Sequence, residues 1–547
     1  MFALLFGAVV GAIFVGCIPP SPGDGNANGN SNSNTNTNSS ANFNANAGLP
    51  PIPAPPTAIA VEEVVRTGDA VPGQPAAAFF TAFGNPIVDE DGRIAFWAQF
   101  DDGDGVGGLF VWDGVDLINV IDDDPDDVGT VPGRDTDDFF GPLATGTNLA
   151  DPFALPMIWG SEGRLLFVSP IGGETDSRGL FRWRASDENL IRVADLEQLT
   201  ALFTAEFGNA VLDFTFGNIS LSDNGVVSFA GNYTLLGNNV PGMIAFGTGV
   251  YTSNGTAISV IRDRFLDDQP VPSQTTAAAF TAFSTRTTQN PGGDTFYLGT
   301  YSNGTGTRGL YLHRGATSFV VLDNRAGSSF AGLPVASTVD GAMSVADVVS
   351  ASNRFIAIDT RLTVGGATRN TGLIWSFPQN RFTELIGAGG QDVDAIISGV
   401  NERGRVAYLA GGRPHIPNGN TVQRLDDTLP SPLDANNLRW ESGASMNSFN
   451  RVLLPYTRNP NSAADAVRGL ALWTGTQLLI VADRGLSISE PDLFAIDVGP
   501  LPEQDQHGRS GRLNDADQFT FRGTLRGDDE TPSTNDDIEV IYFGEAE

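Results

Sequence analysis

The sequence predicts an all-β fold, a single β-propeller of eight blades, from three observations. A short strand phrase recurs eight times after residue 60, a Gly-Leu-aromatic phrase recurs between its copies, and the two ends of the chain carry complementary strand patterns. Repeats of three or four short strands are typical of propeller blades. We expect the propeller to occupy residues 58–547.

The first phrase places a turn residue directly before a short apolar strand, the usual punctuation of β-structure. Its early copies, marked by Gly92, Gly163 and Gly225, lie roughly 60 to 70 residues apart, which suits one copy per blade. Eight blades are therefore expected, or seven if the short unit between Gly390 and Asp427 merges with its neighbour. The copies lie at residues 91–96, 162–167, 224–229, 293–297, 353–357, 403–408, 450–454 and 517–521.

The second phrase begins with Gly, followed by an apolar residue and then, in most copies, an aromatic one. The strands that follow it, such as 117–121 and 478–481, are apolar almost throughout, which implies that both faces are covered. Stacked blades provide that cover, and the spacing leaves no room for a long helix. The copies of this second phrase lie at residues 108–112, 179–183, 249–251, 309–311, 372–375 and 469–473.

The chain ends predict how the ring closes. The last repeat supplies strands at 519–521 and 538–543 and then stops one strand short, whereas residues 60–69 have the pattern of the missing strand. An N-terminal strand that completes the last blade hides two sheet edges. An open solenoid gains nothing from this split.

The connecting motif Gly68-Asp69-Ala70-Val71-Pro72-Gly73, with partial echoes at 268–272 and 427–430, adds a resemblance. Together with the strand phrases it resembles a group of uncharacterised repeat proteins exported by planctomycete-type bacteria. The resemblance covers nearly everything after residue 60. It implies the propeller architecture and no particular activity.

Composition excludes several classes of function. The chain has 547 residues and a net charge of −33, from 64 acidic residues against 31 basic ones, all of which are arginine. Such a field repels nucleic acid, and no basic cluster offers a phosphate track. A Walker-type nucleotide loop needs a lysine and is therefore excluded.

The N-terminus predicts export. Residues 1–16 form an uncharged apolar run that is too short to span a bilayer, which is typical of a signal peptide. The segment Phe14-Val15-Gly16-Cys17 resembles the lipobox of bacterial lipoproteins, which implies a lipid on Cys17 and placement at the outer membrane or cell surface. Residues 17–57, rich in Asn, Ser and Pro, are expected to form a disordered tether. Cys17 is the only cysteine, so no intrachain disulfide is possible.

Few residues suggest chemistry. Asp101, Asp102 and Asp104 alternate with glycine as in a calcium loop, but no glutamate follows to complete the site, and a solvated loop is the alternative. We expect no other cofactor. Most tryptophans end repeated strands and are expected in the core, whereas Trp440 departs from the pattern and is our candidate for an exposed ligand contact.

The candidate residues do not form a catalytic set. His313, His415 and His507 lie in different repeats, so we expect surface histidines rather than a metal site or a triad. No pair of carboxylates stands out for glycoside hydrolysis. The leading hypothesis is a monomeric, surface-tethered, non-enzymatic propeller that binds a glycan or an envelope protein and contacts the membrane only through its lipid. An extracellular polysaccharide hydrolase or lyase and a structural envelope protein are the alternatives.

Overall fold

The chain folds into eight small antiparallel sheets arranged as an eight-bladed β-propeller. Each sheet is one blade of four main strands, and in blades 1, 5 and 7 the first strand is interrupted and counts as two. The computed structural model describes residues 49–101, 107–123, 131–134, 140–141, 155–172, 178–207, 210–237, 243–266, 270–274, 277–325, 330–333, 337–339, 347–418, 421–430, 433–461, 466–483, 493–497, 513–525 and 538–547.

The first four blades follow one another along the chain after an initial strand, β1 (Ile59–Arg66). Their strands are, for blade 1, β2 (Phe79–Phe83), β3 (Ile87–Val88), β4 (Ile94–Asp101), β5 (Gly107–Trp112) and β6 (Leu117–Asp122); for blade 2, β7 (Met157–Gly160), β8 (Arg164–Pro170), β9 (Arg178–Arg184) and β10 (Asn189–Asp195); for blade 3, β11 (Ala210–Leu221), β12 (Val227–Gly237), β13 (Met243–Ser253) and β14 (Ile258–Asp263); and for blade 4, β15 (Ala279–Gln289), β16 (Thr295–Ser302), β17 (Arg308–Arg314) and β18 (Thr317–Asp323).

The remaining blades keep the same order of strands. Their strands are, for blade 5, β19 (Thr338–Val339), β20 (Asp347–Ala351), β21 (Phe355–Val364), β22 (Ala367–Ser376) and β23 (Arg381–Glu384); for blade 6, β24 (Val393–Ile396), β25 (Tyr408–Ala410), β26 (Arg413–Asn418) and β27 (Thr421–Arg424); for blade 7, β28 (Leu438–Trp440), β29 (Ser445–Met446), β30 (Val452–Arg458), β31 (Val467–Trp473) and β32 (Leu478–Asp483); and for blade 8, β33 (Leu493–Asp497), β34 (Gln518–Leu525) and β35 (Ile538–Ala546), completed by β1.

The two sequence phrases correspond to two strand positions in the blade. The eight copies of the first phrase fall in eight different sheets, at the second strand, and each Gly-Leu-aromatic copy lies in a third strand. The short unit between Gly390 and Asp427 forms its own sheet, β24 to β27, so the prediction of eight blades is confirmed and the alternative of seven is wrong.

Closure of the ring follows the prediction made from the chain ends. Strand β1 pairs antiparallel with β35, with Ile59 opposite Ala546 and Val65 opposite Ile541, and the sheet order is β1-β35-β34-β33. The N-terminal strand therefore occupies the outer position of the last blade. Because β1 precedes blade 1 and completes blade 8, it joins the two ends of the ring.

The blades pack face to face around an axis. First strands of successive blades contact each other, as β7 does β11 and β11 does β15, which places the first strands nearest the axis. Apolar clusters lie between neighbouring blades; one combines Trp97 of blade 1 with Phe167 of blade 2, whose rings are 6.0 Å apart. This packing explains why the strands are apolar on both faces.

The turns between first and second strands form a hydrogen-bonded chain from blade to blade, and we call this end of the blades the turn end. Asn447 Nδ2 in blade 7 donates to the main-chain oxygen of Asn514 in blade 8 at 3.0 Å, and Asn514 Nδ2 donates to that of Asp89 in blade 1 at 2.8 Å. Asn401 Nδ2 in blade 6 likewise donates to the main-chain oxygen of Asn447 at 3.0 Å. The turns therefore link the blades across the closure point.

One helix, α1 (Leu196–Phe207), lies between blades 2 and 3, a feature that the sequence analysis did not identify. Asp195 caps its N-terminus, since its Oδ1 accepts from the main-chain nitrogen of Gln198 at 2.9 Å. Leu199 and Phe203, four residues apart on one face, are fully buried. Within the described residues, no helix has the length and apolar character needed to cross a membrane.

Candidate binding site on an extended blade

Blade 3 differs from its neighbours in the length of its strands. Its Gly249 occupies the glycine position of the second phrase, and β13 begins six residues earlier, at Met243, whereas β5 begins at Gly107, one residue before Gly108. Strands β11 and β12 extend with β13, because all three stay paired over this length. We call the extension the ledge; it comprises residues 210–216, 232–237 and 243–248 and lies at the end of the blade opposite the turn end.

The helix α1 packs on the back of the ledge. Phe203 of the helix contacts Tyr233, with ring centroids 4.6 Å apart, and Phe214 lies parallel to Tyr233 at 6.4 Å. Gly247, opposite Tyr233 on β13, has no room for a side chain, since a Cβ atom there would lie 2.2 Å from Cζ of Tyr233. The helix and these rings fix the ledge from behind.

The buried carboxylate of Asp263 holds the hydroxyl groups of Tyr233 and Tyr251. Tyr233 Oη donates to Asp263 Oδ1 at 2.6 Å, and Tyr251 Oη donates to its other oxygen. Burial raises the pKa of Asp263, and the two tyrosine hydrogen bonds oppose that rise. Burial, followed by the charge of Asp263, raises the pKa of Tyr233. The network therefore holds Tyr233 as a hydroxyl donor beneath the ledge.

The front of the ledge is polar and open. Directly opposed residues share a face of a sheet, so the register places Asp213, Thr234 and Phe246 in one row across three strands. Thr215, Asn232 and Thr248 form a second row beside it. A cleft of about 320 Å³ lies over these rows, with Arg264, Thr281 and Ala282 on its further side.

Phe246 is the most distinctive residue of the cleft. Its side chain is 69% exposed, although it lies on a strand next to the well-packed core of blade 3. Arg264 Nη1 donates to the main-chain oxygen of Phe246 at 2.8 Å, and Thr248 Oγ1 accepts from the main-chain nitrogen of Phe283 in blade 4 at 2.7 Å. These bonds fix both sides of the cleft while the Phe246 ring stays free for contact.

Trp440, the sequence candidate for an exposed contact, is buried. Its side chain is 4% exposed, its Nε1 donates to Asp426 Oδ2 at 3.2 Å, and its ring packs against Tyr456. The prediction of an exposed aromatic is wrong here because Asp426, at the end of blade 6, satisfies the indole N–H inside the interface with blade 7. Trp440 therefore lacks the surface exposure on which its choice as a ligand contact was based.

The two histidines in the described part of the chain lie in different blades, His313 in blade 4 and His415 in blade 6. His415 is 1% exposed and accepts through Nε2 from the main-chain nitrogen of Ala388 at 3.3 Å, so the expectation of a surface histidine is wrong for this residue. Burial lowers its pKa, as it does for His313, which is half-buried beside Ser318. His507 and the proposed lipid site Cys17 lie outside the described residues.

The acidic candidates divide between described and undescribed positions. Asp101 is exposed at the end of β4, while Asp102 and Asp104 lie outside the described residues, so calcium binding stays a prediction. Asp122, the first of the next acidic run, is buried and accepts from Gln74 Nε2 at 2.7 Å and Asn119 Nδ2 at 2.6 Å. Across the part of the chain that is described, no three His, Cys, Asp or Glu side chains group as metal ligands do.

The cleft residues were missed by sequence analysis. The signal for them was strand-like sequence ahead of the second phrase: residues 243–248 precede Gly249, as residues 367–371 precede Gly372 in blade 5. That surplus predicts longer strands. It does not predict which face stays open, because this depends on where α1 packs.

The fold and the cleft define an eight-bladed β-propeller whose third blade carries a polar ledge. No family model and no curated protein match the sequence. Among solved structures, the chain is similar to a puromycin-hydrolyzing peptidase of Mycobacterium tuberculosis, with 10% identity, a TM-score of 0.39 and coverage of 83% of this chain and 57% of that one.

Two further structures show similar levels of likeness. An acylaminoacyl peptidase of Pyrococcus horikoshii has 9% identity, a TM-score of 0.38 and coverage of 81% of this chain and 57% of that one. An oligogalacturonate lyase in complex with manganese has 10% identity, a TM-score of 0.32 and coverage of 77% and 96%. The chain thus spans 57% of the length of each of the two peptidases.

Proposed function

We propose that this protein is a surface-tethered propeller that binds a saccharide in the cleft on the blade 3 ledge. The observation that carries the proposal is the exposed ring of Phe246 beside two rows of hydroxyl and amide side chains. A pyranose ring has an apolar face of C–H groups, which packs on the electron-rich face of an aromatic ring, and a rim of hydroxyls. The cleft matches both parts.

The polar rows suit hydroxyl groups in particular. Thr215 and Thr234 supply groups that both donate and accept, Asn232 supplies an amide with both capacities, and Asp213 supplies an acceptor. Several of these side chains are exposed, and the strands that carry them are fixed by the helix behind. Preorganised groups on a rigid sheet lose little entropy when a ligand binds.

The same residues favour binding over hydrolysis. Glycoside hydrolysis needs two carboxyl groups at a set separation across the scissile bond. Asp213 is the single carboxylate among the described residues that line the cleft. A ligand held there meets one carboxylate and no second acid from the described lining.

A glycan array with the purified propeller tests the proposal. We expect the wild type to bind a subset of saccharides, Phe246→Ala to lose at least about tenfold in affinity, and Asn232→Ala to lose a similar factor. Phe319→Ala is the matched control, because Phe319 is also an exposed phenylalanine, 50% accessible on β18 of blade 4. Thermal unfolding should show all three variants folded.

Three results would contradict the proposal. One is an array on which wild-type protein binds nothing, and a protein partner recovered from envelope extract would then replace the saccharide. Another is equal loss of binding in Phe246→Ala and Phe319→Ala. The third is release of shorter sugars from a polysaccharide panel, abolished in Asp213→Asn, which would establish the enzymatic alternative.

The location of the protein is a separate proposal, resting on the apolar segment 1–16 and the lipobox-like residues before Cys17. A lipid on Cys17 followed by a tether would hold the propeller at the outer membrane or cell surface. The tether is shorter than the predicted residues 17–57, because the main-chain oxygens of Pro50, Pro53 and Ala54 accept hydrogen bonds from the buried Arg403 and Arg451. We expect full-length protein in the membrane fraction and Cys17→Ala in the soluble fraction. Soluble wild-type protein with an unmodified Cys17 by mass spectrometry would contradict the anchor.

A further inference from the structure

A second cavity, of about 350 Å³, lies between blades 6 and 7 at the turn end, far along the chain from the ledge. One wall is the proline-rich segment that precedes β1, including Ile52 and Pro53. The opposite walls include Phe449 and Trp473 of blade 7. The cavity therefore has apolar sides, a property typical of small-molecule sites.

Two buried arginines fix the proline-rich wall. Arg451, 2% exposed, donates from Nη2 to the main-chain oxygens of Pro53 at 3.1 Å and Ala54 at 3.0 Å. Arg403, 5% exposed, donates from Nη2 to that of Pro50 at 2.5 Å. Proline has no N–H, so a segment of this composition is held through its carbonyl groups. The wall is therefore a built part of the cavity.

Arg405 also lines the cavity, and its positive charge has no carboxylate partner among the described residues. Its Nη2 donates to the neutral amide oxygen of Asn418 at 3.3 Å, a long hydrogen bond. Burial, followed by the charge of Arg403, lowers the pKa of Arg405. A guanidinium has five N–H donors in a planar fork, so most of its capacity remains for a ligand.

We propose that this cavity binds a small molecule in which a carboxylate is attached to an apolar body. The carboxylate pairs with Arg405, since a planar guanidinium and a carboxylate form two parallel charge-assisted hydrogen bonds. The apolar body lies between Ile52 and Pro53 on one side and Phe449 and Trp473 on the other. The site is independent of the saccharide cleft, which lies on another blade at the opposite end.

Calorimetric titration of the purified protein with phenylacetate and with phenylacetamide tests the site. The two probes share shape and apolar body, and only phenylacetate carries the charge. We expect phenylacetate to bind at least about tenfold more tightly than phenylacetamide, and Arg405→Gln to remove this preference. Arg381→Gln, an exposed arginine on β23 of blade 5, is the matched control and should bind as wild type.

A second variant keeps the test decisive if Arg405→Gln fails to fold. Ile52 is 44% exposed, so Ile52→Glu should fold, and its carboxylate should compete for Arg405 and weaken phenylacetate binding at least about tenfold. Equal affinity of the two probes, absence of binding by wild type at millimolar phenylacetate, or unchanged binding in Ile52→Glu would each overturn the proposal.

Discussion

The two ends of the blades differ in structure, although the same strands run through both. The turn end is joined by hydrogen bonds between blades, and the opposite end carries the ledge of blade 3. At the turn end, residues such as Asn401, Asn447 and Asn514 repeat the same bonding pattern from blade to blade and connect the ring. At the opposite end, blade 3 departs from its neighbours by the ledge and the helix behind it. The bonds between turns connect the blades at one end, while the lengths of the strands differ between blades at the other end.

The same contrast appears within blade 3. Its back face carries Phe214, Tyr233 and Gly247, which are buried against the helix, whereas its front face carries Phe246 and Asp213, which are exposed. Strand residues alternate between the faces, so one set of strands provides both a buried face and the face of the proposed saccharide cleft.

The largest effect is expected from breaking ring closure. Val65 is 3% exposed on β1 opposite Ile541, so Val65→Asp buries a charge without a partner in the closing sheet. We expect the free energy of unfolding to fall by at least about 4 kcal/mol. Val115→Asp is the matched control, because Val115 is 84% exposed, and it should change stability by less than about 0.5 kcal/mol. Denaturant titration of both variants measures the difference, and equal stabilities would rule out closure by β1.

A smaller loss is expected from interrupting the chain of turns. Asn514 Oδ1 accepts from the main-chain nitrogens of Ala516 and Gln518, and its Nδ2 reaches Asp89 of the next blade. Asn514→Ala leaves the buried main-chain oxygen of Asp89 and the turn nitrogens without this partner and should cost about 2 to 3 kcal/mol.

The control for this variant is an asparagine that supports only its own turn. Asn254, exposed in the β13–β14 hairpin, accepts from the main-chain nitrogens of Thr256 and Ala257, and among the described residues its hydrogen bonds stay within that hairpin. Asn254→Ala should cost about 1 kcal/mol or less. If chemical denaturation shows that both variants lose the same free energy of unfolding, the hydrogen bond from Asn514 to Asp89 contributes nothing to stability.

The smallest expected effect is a dependence of stability on pH. Burial raises the pKa of Asp89, Asp263, Asp483 and Asp517 above the value of 3.8 for a free aspartate. Each of these carboxyls binds its proton more tightly in the folded chain than in the unfolded one, so lowering the pH through the folded pKa stabilises the fold. This gain in folding stability is complete below about pH 3.8, the pKa of the same groups in the unfolded chain.

Acidic groups with a lowered pKa do not act against this trend between pH 8 and pH 5. Hydrogen bonds lower the pKa of Asp113 and Asp187, and groups of that kind lose their contribution only below pH 3.8. The net charge of −33 also becomes smaller as the pH falls, which reduces self-repulsion. Burial lowers the pKa of His313 and His415, so in the wild type these two groups oppose the trend below about pH 6.5. We therefore expect Tm to rise as the pH is lowered from 8 to 5 in a variant that carries His313→Gln and His415→Gln. A Tm that falls over this range in that variant would show that the buried carboxylates are not protonated more easily in the folded state.

The fold was predictable because its signals are local and repeated. The turn residues before each second strand, the glycines of the second phrase and the complementary patterns around Val64 and Ile541 each report on backbone geometry. Gly249 illustrates the reason: a Cβ there would lie 2.4 Å from Asp263 Oδ2, so the residue is fixed by its neighbour on the next strand. Because such constraints recur along the chain, they predict the architecture together.

The site was not predictable, because exposure depends on contacts between distant parts of the chain. Trp440 breaks the repeat pattern yet is buried by Asp426 and Tyr456, while Phe246 looks like a core strand residue yet is exposed. Helix α1 was also missed, although Leu199 and Phe203 have helical spacing, because it falls in a connection rather than a repeat. Each of these outcomes is decided by which element packs on which face.

Hydrogen exchange with and without a saccharide identified on the array tests the difference between the two ends most directly. Mass spectrometry of peptides from 210–216, 230–237 and 243–248 reports on the ledge, and peptides from 401–405 and 447–451 report on the turns. We predict slower exchange on binding in the ledge peptides alone. Protection of the turn peptides with an unchanged ledge would contradict the assignment of binding to blade 3.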